Sequence, residues 1–217
     1  MAKKNRSPEW DRFMYEFFDR SDYEQWHDGI DLNILLQLTE EEQIEAEKLL
    51  IESVEKNGQW PTRGLAALES KKAIPVLKKK LDSGYGIIKI RCAYALEKIV
   101  GTGEYLPVLY DELFNNVSPY DRLEVAMNLR EFPTKEVVDN LFKAMLDEDY
   151  LVRAHAADSL LGIHGFNPEI SNHDDIFRYI VSKWKGVKSS KDDYITAVEL
   201  LKEKLKDKKY KDYLEKE

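Results

Sequence analysis

The sequence predicts an all-α protein assembled from a helix pair that is restated along the chain, and three observations carry that prediction. Arg91, Arg122 and Arg153 stand 31 residues apart, each followed four residues later by an alanine, at Ala95, Ala126 and Ala157. An independent set of apolar columns recurs every 32 residues: Ile74, Leu106 and Val138; Leu77, Leu109 and Leu141; Leu81, Leu113 and Met145. Strand signals are poor throughout, because no alternating Val/Ile/Thr run is bounded by hairpin turns.

Taken in order, the chain starts with a dense aromatic set, Trp10, Phe13, Phe17, Phe18 and Trp26, which reads as core against the first repeat. Residues 1–38 are therefore expected to form an N-terminal helical cap. Thr39 and Glu42 make a capping box at the start of a helix running to Val54, and Trp60 to Leu68 supplies its partner. Within each later copy the apolar residues fall at helical spacing, as in Ile74, Leu77 and Leu81, which marks a helix buried on one side. Turn chemistry separates the helices at Asp82-Ser83-Gly84, Gly101-Thr102-Gly103, Asn115-Asn116, Phe132-Pro133-Thr134 and Gly165 to Pro168. Asn116 or Ser118, ahead of Pro119, and Thr134, ahead of Val137, look like helix caps.

Repeats thus extend over residues 39–170. Residues 171–217 read as a C-terminal helix pair or cap, with helices at His173 to Trp184 and Ser190 to Leu205. Lys202 to Glu217 reads as a solvated terminal helix with an apolar seam of Tyr210, Tyr213 and Leu214. The register is uneven. Leucine follows Arg63 and Arg91 by five residues, at Leu68 and Leu96, but follows Arg122 and Arg153 by seven, at Leu129 and Leu160. The copies therefore form two subtypes, or the second helix is rotated between them.

This period, the pattern V-R-x-x-A-A-x-x-L at Val152 to Leu160, and Pro75 and Pro107 within first helices resemble the HEAT repeats. More narrowly, the chain is similar to the short bacterial type shared with phycobilisome-lyase HEAT-like repeats. The resemblance implies an α-α superhelix, a HEAT-like solenoid of about five helix pairs with helical caps and with second helices on the concave face. It also implies that an acid pairs with each repeat arginine. Asp147 and Asp149 are placed to serve Arg153, whereas Asn116 and Ser118 occupy the positions 31 residues earlier. Such scaffolds mostly hold proteins, but the shared residues are those that make the fold and do not carry a function.

Composition limits the classes of partner. With 33 basic against 41 acidic residues the net charge is −8, which disfavours nucleic acid and anionic membranes as partners. The single cysteine, Cys92, has no disulfide partner and suits a reducing compartment, so a cytoplasmic location is expected. No leader sequence is expected, and no window approaches the roughly 18 apolar residues of a membrane span. His27, His155, His164 and His173 show no metal-ligand spacing, and phosphate-binding glycine loops and nucleophile elbows are missing from the sequence. No catalytic residue, metal or cofactor is assigned. Cys92 reads as a small core residue, and Lys78-Lys79-Lys80 as the solvated side of a first helix.

The positions that the repeat leaves outside the core on the inner helices are Glu97, Glu124, Asn128, Glu131, His155 and Asp158, with Tyr120 and Tyr150 near the rim. An acidic, aromatic face of this kind suits a basic protein partner, since acids steer and tyrosines supply contact area at low entropic cost. His155 lies one repeat from Glu124, an arrangement that fits an ion pair or a proton-transfer pair. The expected function is a non-enzymatic protein-protein interaction module, monomeric because polar caps block stacking, with a toxin-neutralising immunity protein as one subtype. The alternative is a bilin-lyase-like chromophore-handling enzyme, which requires a deep apolar pocket. DNA binding or a DNA glycosylase ranks below both, because it needs a basic surface.

Overall fold

A computed structural model describes residues 6–181 and 190–215, and among these every regular element is helical. The chain divides into two compact units, one ending at Tyr105 and the other starting at Leu106.

The first unit begins with α1 (Pro8–Met14), a π-helical turn (Tyr15–Asp19), α2 (Asp22–Asp28) and the short α3 (Ile34–Gln37). Trp10, Phe13 and Phe17 are buried, and Phe18 meets Phe13 edge-on with ring centroids 5.6 Å apart. Trp26 departs from the expected core: it is 56% exposed and lies beside Tyr23 on the outside of α2. The inward position of that helix belongs instead to its neighbour Gln25, whose amide donates to the Glu16 carbonyl at 2.7 Å. A helix turns about 100° per residue, so both cannot face in.

Two helix pairs follow, α4 (Glu40–Glu55) with α5 (Pro61–Ala67) and α6 (Ile74–Ser83) with α7 (Ile87–Val100). Gly64 explains how α5 closes on the aromatic cluster, since a Cβ there would sit 2.8 Å from the Phe17 ring. The Thr39–Glu42 capping box forms as expected. The Glu42 carboxylate also accepts the Ser7 N–H at 2.9 Å and the Ser7 hydroxyl at 2.8 Å, which joins the starts of α1 and α4. These hydrogen bonds, led by the Ser7 N–H, hold its pKa down to about 2.

The second unit holds three pairs: α8 (Leu106–Asn115) with α9 (Pro119–Asn128), α10 (Lys135–Ala144) with α11 (Tyr150–Ile163), and α12 (Asp174–Val181) with α13 (Lys191–Leu205). Among the described residues the two units together thus hold the five pairs expected; Ser182 to Trp184, the end of the expected His173–Trp184 helix, lie outside them. Ser118, Thr134 and Ser190 cap their helices through side-chain oxygens. The second helices α9 and α11 pack together, and the buried Ser159 hydroxyl donates to the Ala126 carbonyl at 2.8 Å across that contact.

The arginine column is arranged differently from the expected pairing. Asp147 serves the arginine one repeat upstream: Arg122 Nε and Nη2 each donate to its carboxylate at 2.9 Å. Asp149 is committed to the N-terminus of α11, where it accepts the Leu151 N–H at 2.8 Å. Arg153 is held by backbone instead. Its Nε and Nη2 donate to the Ile180 carbonyl at 3.0 and 2.6 Å, its Nη1 to the Asp147 and Glu148 carbonyls at 2.6 and 3.0 Å, and its guanidinium stacks 3.7 Å over Tyr194. Burial lowers its pKa from the ordinary arginine value. Arg91 turns the other way and lies 3.7 Å over the ring of Trp60, in the preceding pair. Arg63, which shares the five-residue leucine spacing, instead lies 5.8 Å from the ring of Tyr94 in the following pair, so the spacing does not set the direction of the arginine side chain.

The terminal helix also differs from expectation. It stops at Leu205, and the described residues after it form a non-helical tail. The Tyr213 N–H donates to the Pro133 carbonyl at 2.6 Å, its ring meets Phe132 at 5.2 Å, and Tyr210 meets His164 at 5.1 Å. A continued helix would place Lys204, Lys208 and Lys211 on one face, where like charges repel; the tail instead gives both tyrosines aromatic partners.

Because the pKa of Glu42 is lowered from 4.5 to about 2, the stability it supplies is complete above pH 4.5 and is lost as pH falls towards 2. Glu42→Gln is therefore expected to lower stability at pH 7, with the deficit shrinking steadily below pH 4.5. Denaturant unfolding of both proteins across this range checks it, and a deficit independent of pH would contradict it.

Candidate functional site

The eight residues singled out from the sequence separate into structural and exposed groups. Glu97 is 0% exposed, and its carboxylate accepts the Gly103 N–H at 2.8 Å and the Tyr105 N–H at 3.1 Å. It fixes the turn that follows α7 and cannot meet a partner. The repeat period places it outside the core, but α7 is buried without interruption from Ile90 to Glu97, so the one-sided reading fails there. Asn128, 4% exposed at the end of α9, is likewise removed from any contact surface.

Asp158 has a structural role. Its Oδ1 accepts the Ile170 N–H at 2.6 Å and so anchors the 3-10 turn Ile170–Asn172, while its Oδ2 lies 3.4 Å from His155 Nδ1. The acid that the geometry gives His155 is thus one turn away on the same helix. Glu124 is half-buried on α9, and Glu131 is exposed on the 3-10 turn Leu129–Glu131 that closes it. Tyr120 and Tyr150 are exposed at the starts of α9 and α11, Tyr120 to 62%.

Those two tyrosines belong to a larger apolar edge. Phe114 and Val117 at the α8–α9 turn and Leu146 at the α10–α11 turn are exposed beside them. The three line a shallow groove of about 750 Å3 together with Glu148, Lys191 and Tyr194. The Arg122–Asp147 pair also lines it and is internally neutralised, whereas Glu148 is exposed. A signal for this edge was present in the sequence. Phe114 and Leu146 are 32 residues apart, each immediately after a buried column residue, Leu113 and Met145. One step of about 100° past the buried stripe carries a side chain off the core.

Cys92 is fully buried, and burial pushes its thiol pKa up to about 12. Among the described residues no group of three or more His, Cys, Asp or Glu side chains is placed to hold a metal ion, and no helix is long and apolar enough to cross a membrane.

Residues 106–169 match the family model of HEAT repeats. That span takes in α8 to α11 entirely, with Arg122, Arg153 and the apolar turn edge inside it. It supports the HEAT-repeat resemblance and does not separate the short bacterial type from other members. No curated protein and no solved structure shows a significant match to the chain.

The thiol makes burial measurable. In the native protein at pH 8, Cys92 is expected to react with a disulfide reagent at least about a hundred-fold more slowly than in the unfolded chain, because little thiolate forms and access is closed. A native rate close to the unfolded one would contradict that placement.

Proposed function

We propose that this chain is a non-enzymatic protein-binding module that holds a basic protein partner along the turn edge of its second unit. The observation that carries the reading is the recurrence of exposed apolar and aromatic side chains at successive turns: Phe114, Val117 and Tyr120 at one, Leu146 and Tyr150 at the next. Scattered exposed apolar residues are ordinary on soluble proteins, but a run repeated at the period of the fold marks a contact surface. The HEAT-repeat match covers the same residues, and HEAT repeats generally mediate protein-protein interaction.

Glu124 on the second helix α9, Glu131 on the 3-10 turn that closes it, and Glu148 at the groove add the acidic component, in keeping with a net charge of −8. Tyrosine anchors supply binding energy, while surrounding carboxylates speed and orient the approach of a cationic surface. Masking the basic surface of a toxin in the cytoplasm is one task for which this combination suffices, and it is the subtype we favour. The protein acts as a monomer in this reading. The bilin-lyase-like alternative lacks support in the groove itself, whose lining mixes charged side chains with the apolar ones.

The test is capture of a stoichiometric partner from the native cell by the full chain, followed by affinity measurement with that purified partner. Tyr120→Ala with Tyr150→Ala is expected to weaken binding by roughly 30-fold or more, as loss of anchor residues does, and Glu124→Lys with Glu131→Lys mainly to slow association. Unchanged affinity in variants with unaltered thermal unfolding would remove the turn edge from the interface.

A further inference from the structure

The first unit carries a second surface, on the outward side of α4. That helix buries Ala46, Leu50 and Val54, yet Ile44 stands 59% exposed on its opposite side. Ile44 and the half-buried Ile51, seven residues on, share a face two turns apart and line a shallow groove of about 910 Å3. Five glutamates, Glu41, Glu45, Glu47, Glu52 and Glu55, line the same groove against two lysines, Lys48 and Lys72, leaving a local charge of −3.

The chain's own cations already use this acidity. Arg6 pairs with Glu45, and Lys72 reaches Glu47 at 2.7 Å. Glu41 and Glu55, near the two ends of the helix, make no ion pair among the described residues. They are 14 residues apart in sequence, hence roughly 20 Å along the helix axis. An aliphatic strip with carboxylates at both ends is the complement of a helix that is apolar on one side and flanked by Lys or Arg. An anionic bilayer, by contrast, would be repelled by it.

We propose that this groove docks a basic amphipathic helix of a protein partner, with its apolar side on Ile44 and Ile51 and its cations on Glu41 and Glu55. The proposal goes beyond the turn-edge reading, since it concerns the first unit alone.

The experiment titrates the full chain with a fluorescently labelled peptide of about 18 residues, long enough for five helical turns, with Leu and Lys placed at helical spacing. Anisotropy at roughly 150 mM salt, where loose charge attraction is screened, is the readout. Saturable one-to-one binding is expected. Glu41→Lys with Glu55→Lys should weaken it about ten-fold or more, and Ile44→Ser, which leaves charge unaltered, by several-fold. Glu136→Lys with Glu199→Lys makes the same charge change at exposed positions of the second unit and should alter it by less than about two-fold.

Absence of saturable binding, equal loss in the two charge variants, or an Ile44→Ser protein that binds as before would each overturn the proposal. Thermal unfolding of every variant confirms that the fold is kept. If the peptide is lost on Tyr120→Ala with Tyr150→Ala but kept by the α4 variants, the α4 site falls while the turn-edge function stands.

Discussion

A guanidinium sealed from water has to place its N–H groups on protein oxygens, and Arg153 does so on two segments while a third covers its face. Its donors go to the Ile180 carbonyl near the end of α12 and to the Asp147 and Glu148 carbonyls in the turn before α11, while Tyr194 of α13 covers its face. Leaving a buried hydrogen-bonding group of such an arrangement without its partner typically costs about 1–3 kcal/mol. Arg122 solves the same problem with the Asp147 carboxylate. In the second unit, neighbouring pairs are thus stitched by buried Arg122 and Arg153, each with different acceptors.

The helix pairs were legible because burial on one side of a helix writes a period into the sequence. Ile74, Leu77 and Leu81 recur with their columns, and the caps Thr39, Ser118 and Thr134 mark helix starts where the structure has them. Polar partners were not legible, because they lie in connecting segments whose path no period records. Glu97 binds Gly103 and Tyr105, Asp158 binds Ile170, and Asp147 turns to Arg122. The tail after Leu205 escaped for a related reason: Tyr210 and Tyr213 keep helical spacing but are claimed by His164, Phe132 and Pro133, far away in sequence.

The candidate site was half visible. Tyr120 and Tyr150 stood out as aromatic residues off the core columns, and both are exposed. Phe114, Val117 and Leu146 do not stand out, because an apolar residue adjacent to a buried column reads as more core. What distinguishes them is an angle of one residue around the helix or a place in a turn. Burial divides the side chains: buried polar ones set the stacking of the pairs, while those displaced from the core, at the turns and on α4, are exposed.

The central claim is that Arg153 holds the last pair onto the one before it. Amide hydrogen exchange on Arg153→Met tests this directly, because methionine keeps the apolar stem and removes the donors. Faster exchange concentrated in α12 and α13, with α8 and α9 protected as before, is the expected result. Unchanged protection in α12 and α13, or an equal loss in all six helices of the second unit, would contradict it.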